Sequence, residues 1–141
     1  MIELHKGDVD VMARTLYGEN RGGGARGMQS VAWVILNRAI QGGPRFPDTI
    51  SGVCKQARQF SCWNAGDPNA KLCAAVSEAD PSYALALYAA TSVLTGQIAD
   101  MTGGATHYHA ASMKVFPAWA HKLKRTVTHS GHIFYVEDVP K

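Results

Sequence analysis

Glu19 is the carboxylate whose place in the sequence most strongly suggests proton-transfer chemistry. Two stretches with the apolar spacing of a buried helix face flank it, and the glycines between those stretches break the helix. The first face comprises Val9, Met12, Ala13, Leu16 and Tyr17, the second Met28, Val31, Ala32, Ile35, Leu36 and Ala39, and the glycines are Gly18, Gly22, Gly23 and Gly24. Glu19 is therefore predicted at a break between two packed helices.

A carboxyl group at the C-terminal end of a helix feels the negative pole of the helix dipole. If it is also partly buried, its pKa rises and it can donate a proton near neutral pH. The dipole contributes only about 0.3–1 kcal/mol, so burial has to provide most of the shift. The alternative interpretation is an ordinary solvated glutamate beside Arg21.

A histidine-containing segment near the C-terminus is the second candidate for chemistry. The sequence ATHYHA, residues 105–110, alternates like a short strand, which places His107 and His109 on one face and Tyr108 on the other. Together with His121, His129 and His132, this pair suggests a zinc site, but no HExxH spacing is present. Hydrogen bonding to sugar and ordinary packing are the competing interpretations.

Several segments resemble one known family. The stretches LYGENRGGGARGMQSVAWVILNR, FPDTISGVC, QFSCW, ATHYH and GHIFYV are similar, in this order, to the catalytic domain of cell-wall hydrolases of the spore cortex-lytic enzyme type, which also occurs in bacteriophage endolysins. The resemblance implies a lysozyme-like, mostly helical fold that cleaves the glycan strand of peptidoglycan, with Glu19 as the acid. Family members often carry a second glutamate shortly after the first, where this chain has Asn20-Arg21-Gly22-Gly23.

A polar and aromatic stretch, QARQFSCW at 56–63, supplies the side-chain types that bind sugars. Its residues are either a cleft wall or part of the core, and the family resemblance favours the cleft. Arg38, at the end of the second helix, is either a partner of the helix dipole or a polar contact near the cleft floor. The substrate-binding residues predicted from residues and resemblance together are Tyr17, Asn37, Gln59, Phe60, Ser61, His107, Tyr108 and His109.

The remaining elements predict a mostly α domain (α+β) with a small C-terminal β-hairpin or sheet. Asp8 or Asp10 is expected to cap the first helix, and the second is expected to run from Gly24 to Ala39. Further helices are predicted from Pro47 to Val53, from Asn69 to Ala79, and after Asp80-Pro81, where the cap-then-proline order makes Asp80 the cap and Gly96 ends the helix. A hairpin is predicted to join 125–128 to 132–136. Residues 138–141 are expected to fray. Trp119 is interpreted as packing.

Composition places the chain among single-domain globular proteins. It has 141 residues, 46% hydrophobic and 18% charged, so we expect one domain over residues 1–141. A net charge of +3 suits an anionic wall or nucleic acid equally. Three cysteines, Cys54, Cys62 and Cys73, are expected to be reduced thiols. The N-terminus has no secretory signal and no apolar stretch spans a membrane, so we expect a cytoplasmic protein that reaches the wall after release.

These observations lead to a glycan-strand-cleaving enzyme, a lytic transglycosylase or muramidase, in which Glu19 acts as general acid and base. Its partner is the peptidoglycan glycan strand; we expect a monomer with no cofactor, no metal, no nucleic acid and no integral membrane contact, and a role in host lysis by a phage. No second carboxylate lies near Glu19 in the sequence, which favours a single-acid mechanism. The alternatives are a zinc amidase or peptidase using His107 and His109, and a non-catalytic wall-binding protein.

Overall fold

The computed structural model describes residues 2–56 and 59–137, and within them five α-helices precede a three-stranded antiparallel sheet. The helices are α1 (Asp8–Asn20), α2 (Gly24–Gln41), α3 (Ile50–Lys55), α4 (Pro68–Ala75) and α5 (Pro81–Leu94). The strands are β1 (His107–Ala110), β2 (Lys124–His129) and β3 (His132–Val136), and two short 3-10 turns cover Ser61–Trp63 and Ala118–His121. The predicted mostly helical class with a C-terminal sheet is confirmed. Ala57, Arg58 and the terminal segment 138–141 lie outside the described residues.

Helix caps explain where the predicted boundaries hold and where they fail. The cap predicted for α1 is wrong: Gly7 caps it in a left-handed conformation, and the Asp8 carboxylate instead accepts hydrogen bonds from the His5 amide and the Ser51 hydroxyl. The start predicted for α3 is also wrong, because Thr49 caps the helix and Pro47 lies before it. Asp80 caps α5 as predicted.

The predicted ends of two other helices also need correction. Helix α2 continues two residues past Ala39 before Gly42, with φ +51°, ends it. Helix α4 begins at Pro68, one residue earlier than predicted, with Asp67 as its cap, and it ends at Ala75, four residues earlier than predicted, because the backbone is extended at Val76.

Helices α1, α2 and α5 enclose the main core. Its fully buried members include Met12, Leu16, Met28, Ile35 and Val93. These are the apolar positions whose spacing predicts α1 and α2, together with one face of α5. All three cysteines are free thiols buried in or against this core, and burial raises the pKa of Cys54 to about 12.

The sheet packs against α2 through a small buried cluster of Val34, Ala105 and Phe134. Its strand order is β1-β3-β2, so the predicted hairpin is joined by the histidine-containing strand, with Tyr108 opposite Phe134. The rings of His107 and His109 both lie against Trp119, whereas Tyr108 packs on Phe134. The predicted alternation of this strand is therefore confirmed, and the Tyr108 side of the sheet faces the helices.

Candidate active site

Glu19 lies in the last turn of α1, next to the elbow that leads into α2. Gly18 allows this turn to pack closely, because a Cβ at that position would lie 2.8 Å from the Cys73 sulfur and 3.1 Å from the Asn69 amide nitrogen. Both distances are shorter than van der Waals contact allows. A larger residue at position 18 would therefore push the end of α1, and Glu19 with it, away from α4.

Asn20 fills the space inside the elbow. A Cβ on Gly23 would overlap its side-chain amide, and one on Gly27 would lie 2.8 Å from its Nδ2. The Asn20 side chain thus occupies the space that a side chain at position 23 would need. A carboxylate cannot be placed there unless Asn20 moves.

A cavity of about 220 Å³, here called the Glu19 cavity, opens beside this carboxylate. The lining side chains come from α1, α2, β1, the second 3-10 turn and the segment before the first: Glu19, Arg38, Gln59, Phe60, His107, Tyr108 and Trp119. Within the part of the chain that the structure describes, Glu19 is the only carboxylate in this lining. The cavity therefore combines one acid, one guanidinium, three aromatic side chains and the hydrogen-bonding groups of Gln59 and His107.

The environment of Glu19 raises its pKa. Burial is the largest cause and favours the protonated form, while a hydrogen bond from Tyr108 and the charge of Arg38 act in the opposite direction. The Tyr108 hydroxyl donates to Oε1 of Glu19 at 3.1 Å. A raised pKa increases the protonated fraction of the carboxyl group at a given pH, and a general acid has to hold a proton before it donates it.

Arg38 is buried, with only 6% of its surface exposed, and is held in place by the backbone and by Gln59. Its Nε donates to the carbonyl of Thr106 at 2.7 Å, and its Nη1 donates to Oε1 of Gln59 at 3.2 Å. Burial lowers the pKa of Arg38, but a guanidinium keeps its charge in proteins. Of the two interpretations left open by the sequence, the structure supports a polar contact in the cleft.

His107 stands in the cavity wall as a neutral imidazole. Burial, followed by the charge of Arg38, lowers its pKa to about 4. Its Nδ1 lies 3.0 Å from the Thr106 hydroxyl, and its ring packs 6.2 Å from Phe46 and 5.1 Å from Trp119 between centroids. At neutral pH such a ring serves as a hydrogen-bonding group and not as a cation.

Tyr17 and Asn37, both predicted to bind substrate, do not line the Glu19 cavity. Tyr17 lies on the other side of α1, where it lines a separate apolar groove of about 560 Å³ and its hydroxyl donates to Asp80 at 3.4 Å. Asn37 donates from Nδ2 to Asp100 and to the carbonyl of Ala105, each at 3.0 Å. The Asn37 side chain therefore links α2 to the loop before β1 by hydrogen bonds.

Ser61 and His109 also lie outside the cavity lining. The Ser61 hydroxyl accepts a hydrogen bond from Asn69 at 2.9 Å. His109 is buried, with Nδ1 2.9 Å from the carbonyl of Ala110 and Nε2 2.8 Å from the Tyr135 hydroxyl. Of the predicted set, the structure brings together Glu19, Gln59, Phe60, His107 and Tyr108 in the cavity lining, and it places Tyr17, Asn37, Ser61 and His109 outside that lining.

Trp119 is the cavity residue that the sequence interpretation missed. It lies in the 3-10 turn 118–121, and its ring lies 5.3 Å from that of Tyr135 and 5.1 Å from that of His107. Its local sequence, Phe-Pro-Ala-Trp, gives no sign of a cleft. Only the sheet, which brings β1 next to this turn, places the indole near Glu19.

The zinc interpretation has little support in this arrangement. In residues 2–56 and 59–137, no three His, Cys, Asp or Glu side chains are grouped closely enough to hold a metal ion. Both ring nitrogens of His109 already have protein partners.

No helix in the described part of the chain has the length and apolar character needed to cross a membrane.

A sequence model of the cell wall hydrolase family matches residues 22–135, beginning just after Glu19. The spore cortex-lytic enzyme of Oceanobacillus iheyensis is 42% identical to this chain over 83 residues, and that of Halalkalibacterium halodurans is 37% identical to it over 105 residues. These matches cover 53% and 72% of this chain, but only 29% and 26% of the two relatives. The chain is thus similar to a minor part of each longer enzyme.

Two solved structures share the fold. The catalytic domain of the germination-specific lytic transglycosylase SleB from Bacillus anthracis matches with a TM-score of 0.69 and 28% identity, covering 94% of this chain and 96% of that domain. The catalytic domain of the Bacillus cereus SleB protein matches with a TM-score of 0.68 and 27% identity, covering 95% of this chain and 93% of that domain. The chain is therefore homologous to lytic transglycosylase catalytic domains over nearly its whole length.

Proposed function

Because this chain belongs to the cell wall hydrolase family, we propose that it cleaves the glycan strand of peptidoglycan between N-acetylmuramic acid and N-acetylglucosamine, with Glu19 as general acid and base. The observation that carries the proposal is the Glu19 cavity itself. It presents one half-buried carboxyl group with a raised pKa, surrounded by aromatic and hydrogen-bonding side chains. Such a site suits protonation of a glycosidic oxygen.

A single carboxyl group favours transglycosylation over hydrolysis. A hydrolase of the usual sort needs two carboxylates about 5–9.5 Å apart, with the distance depending on stereochemistry. The carboxylates of Asp67, Asp80 and Asp100 are each engaged with backbone amides elsewhere in the fold. Glu137 is paired with Arg45. None of these four belongs to the described lining of the Glu19 cavity.

In the proposed reaction, Glu19 gives its proton to the leaving glycosidic oxygen as the bond from that oxygen to the muramic C1 breaks. The muramic 6-hydroxyl oxygen then forms a bond to C1, and its proton passes to the Glu19 carboxylate. One group thus acts first as acid and then as base, and the enzyme is regenerated without water. The products are a 1,6-anhydro-muramic end and a free N-acetylglucosamine hydroxyl.

The remaining cavity residues are suited to binding the sugar. Trp119 offers a partly exposed apolar ring face, and Gln59 and His107 offer hydrogen-bonding groups, whereas Phe60, only 2% exposed, closes the cavity on the side of the core. Aromatic side chains contribute a large apolar surface and a fixed geometry, so they orient a pyranose ring without needing charge. Arg38 donates a hydrogen bond to the Gln59 side chain and supplies the positive charge that acts on the Glu19 carboxylate.

The experiment that tests this proposal is digestion of purified peptidoglycan by the wild-type protein, by Glu19→Gln and by the wild-type protein with a chelator. We expect soluble glycan fragments from the first and third reactions and none from the second. Freed stem peptides with intact glycan, lost on chelation, would instead support the zinc peptidase or amidase. Binding to walls with no soluble product would support a non-catalytic wall protein.

We further propose that the protein reaches the wall from the cytoplasm during lysis by a phage. The net charge of +3 is compatible with binding to an anionic wall surface at this stage. Expression inside a bacterium, with and without a co-expressed membrane-permeabilising protein, tests this role. Lysis only when the membrane is opened is the expected result, and lysis without it would contradict the proposal.

A further inference from the structure

We propose that Tyr108 is a positioning residue that determines which oxygen of Glu19 carries the transferable proton. The inference rests on the proposed function, since it assigns a further role within the same site. The Tyr108 hydroxyl donates to Oε1 of Glu19 at 3.1 Å. A protonated carboxyl group accepts through its carbonyl oxygen and carries its hydrogen on the other oxygen. Donation to Oε1 therefore leaves the proton of the acid form on Oε2.

The position of the Tyr108 hydroxyl is fixed by the sheet and not by Glu19. Its backbone is paired with Phe134 of β3, and its ring lies 6.0 Å from the Phe134 ring and 5.2 Å, edge to face, from that of His132. Phe134 in turn belongs to the buried cluster with Val34 that joins the sheet to α2. The phenol is thus a rigid donor, presented to the end of α1 by a different part of the chain.

The same hydrogen bond serves both halves of the reaction. While Glu19 is protonated, the bond orients the acid; after the proton has left, it stabilises the carboxylate, because a donor favours the charged form. The pKa of Tyr108 is itself raised by burial and by Glu19, so the phenol keeps its proton throughout. Tyr108 therefore donates in both states, and the proton that moves is that of Glu19.

Other ionisable groups face Glu19 or its partner, and they bear on any pH measurement. Arg38 of α2 is a permanent cation, and His107 of β1 is neutral at pH 7 because burial lowers its pKa to about 4. Cys62, in the 3-10 turn, is a neutral thiol whose pKa is raised by burial. His132 packs on Tyr108, and burial lowers its pKa. The titration of Glu19 changes the charge of the cavity itself, whereas His132 lies outside the described lining, against Tyr108.

Tyr108→Phe removes the donor and keeps the ring. Tyr83→Phe is the matched control, because Tyr83 is also a tyrosine packed in the main core whose hydroxyl donates to a carboxylate, that of Asp10, outside the cavity. The measurement is the initial rate of soluble glycan release at low wall concentration as a function of pH. Under these conditions the rate reports kcat/KM, and its alkaline limb marks the loss of the proton from Glu19.

We expect Tyr108→Phe to lower kcat/KM by about tenfold to a hundredfold, as loss of a hydrogen bond to a charged group does. We also expect its alkaline limb to move to higher pH, because the carboxylate has lost a stabilising donor. Tyr83→Phe should leave both the rate and the limb unchanged. A reduced rate with an unmoved limb would overturn the inference, since a substrate contact or a purely structural role gives that pattern. An unchanged rate would overturn it as well.

A second variant keeps the test independent of folding in Tyr108→Phe. Site-specific 3-fluorotyrosine at position 108 preserves the ring and makes the hydroxyl a stronger donor. The alkaline limb should then move in the opposite direction, to lower pH. Glu19→Gln separates the two proposals: if it retains activity, the proposed function fails; if it is inactive while neither Tyr108 variant moves the limb, only the positioning role fails.

Discussion

Two carboxylates at helix ends in this molecule have opposite relations to their helices. Asp80 lies at the N-terminal end of α5, where its side chain accepts from the amides of Ser82 at 2.8 Å and Tyr83 at 3.4 Å. Glu19 lies in the last turn of α1, beside the carbonyl end of the helix, and burial raises its pKa. A helix dipole stabilises an anion at the first position and opposes one at the second.

Asp80 stabilises the fold, whereas the position of the Glu19 carboxyl group lowers the stability of the folded protein. Asp80 accepts hydrogen bonds from backbone donors that the helix cannot satisfy itself, so its side chain contributes to stability. Glu19 is desolvated and is offset by a phenol and a guanidinium brought from β1 and α2. Polar groups held in unfavourable surroundings are concentrated at functional sites, which is why Glu19 and not Asp80 is the candidate acid.

The largest predicted effect compares the same chemical change at both sites. Glu19→Gln should lower the rate of glycan release by about a hundredfold or more, the usual contribution of a general acid, because an amide cannot donate and recover the proton. Asp80→Asn should leave the rate unchanged, since asparagine caps a helix as well as aspartate does. Comparable loss in both variants, measured on folded proteins, would mean that the two carboxylates are not functionally distinct.

The second prediction concerns the stability of the Asp80 cap. Asp80→Ala should reduce the free energy of unfolding by about 1 kcal/mol, because the Ser82 and Tyr83 amides lose their acceptor. Urea unfolding followed by circular dichroism measures the change. The rate of glycan release at a temperature where the variant is folded is the control, and it should equal that of the wild-type protein.

The smallest effect is the pH dependence of stability. Because the pKa of Glu19 is raised in the folded protein, the unfolded chain releases this proton first as the pH rises, and the folded state loses stability between the unfolded and folded pKa values. Glu19→Gln removes this loss, so the variant should gain stability relative to the wild-type protein as the pH rises through that window. Paired unfolding curves on both sides of the window measure the difference, and a constant offset would contradict a raised pKa.

The same comparison shows what could be predicted from the sequence. The Asp80 cap is a local pattern, aspartate followed by proline and an apolar helix, and the structure confirms this prediction. The elbow at Glu19 is predicted by helix periodicity and glycines, which are local features as well. Tyr17, by contrast, is two residues from Glu19 and therefore lies on a different face of α1, a consequence of helical geometry that the motif alone did not show.

The parts of the site that could not be predicted from the sequence depend on contacts between distant segments of the chain. Tyr108 reaches Glu19 across 89 positions of sequence, and only because β1 pairs with β3. Trp119 enters the cavity from a turn with no distinguishing pattern of its own. The sequence does not distinguish the two histidines of β1, of which His107 lines the cavity and His109 lies within hydrogen-bond distance of the Tyr135 hydroxyl.

The most direct test of the account is mass spectrometry of the glycan ends released from purified peptidoglycan by the wild-type protein and by Glu19→Gln. A single-acid site predicts 1,6-anhydro-muramic ends from the wild-type protein and no fragments from the variant. Reducing muramic ends would contradict it, because water would then be the nucleophile and a second activating group would have to exist. Anhydro ends released equally well by the variant would show that Glu19 is not the acid.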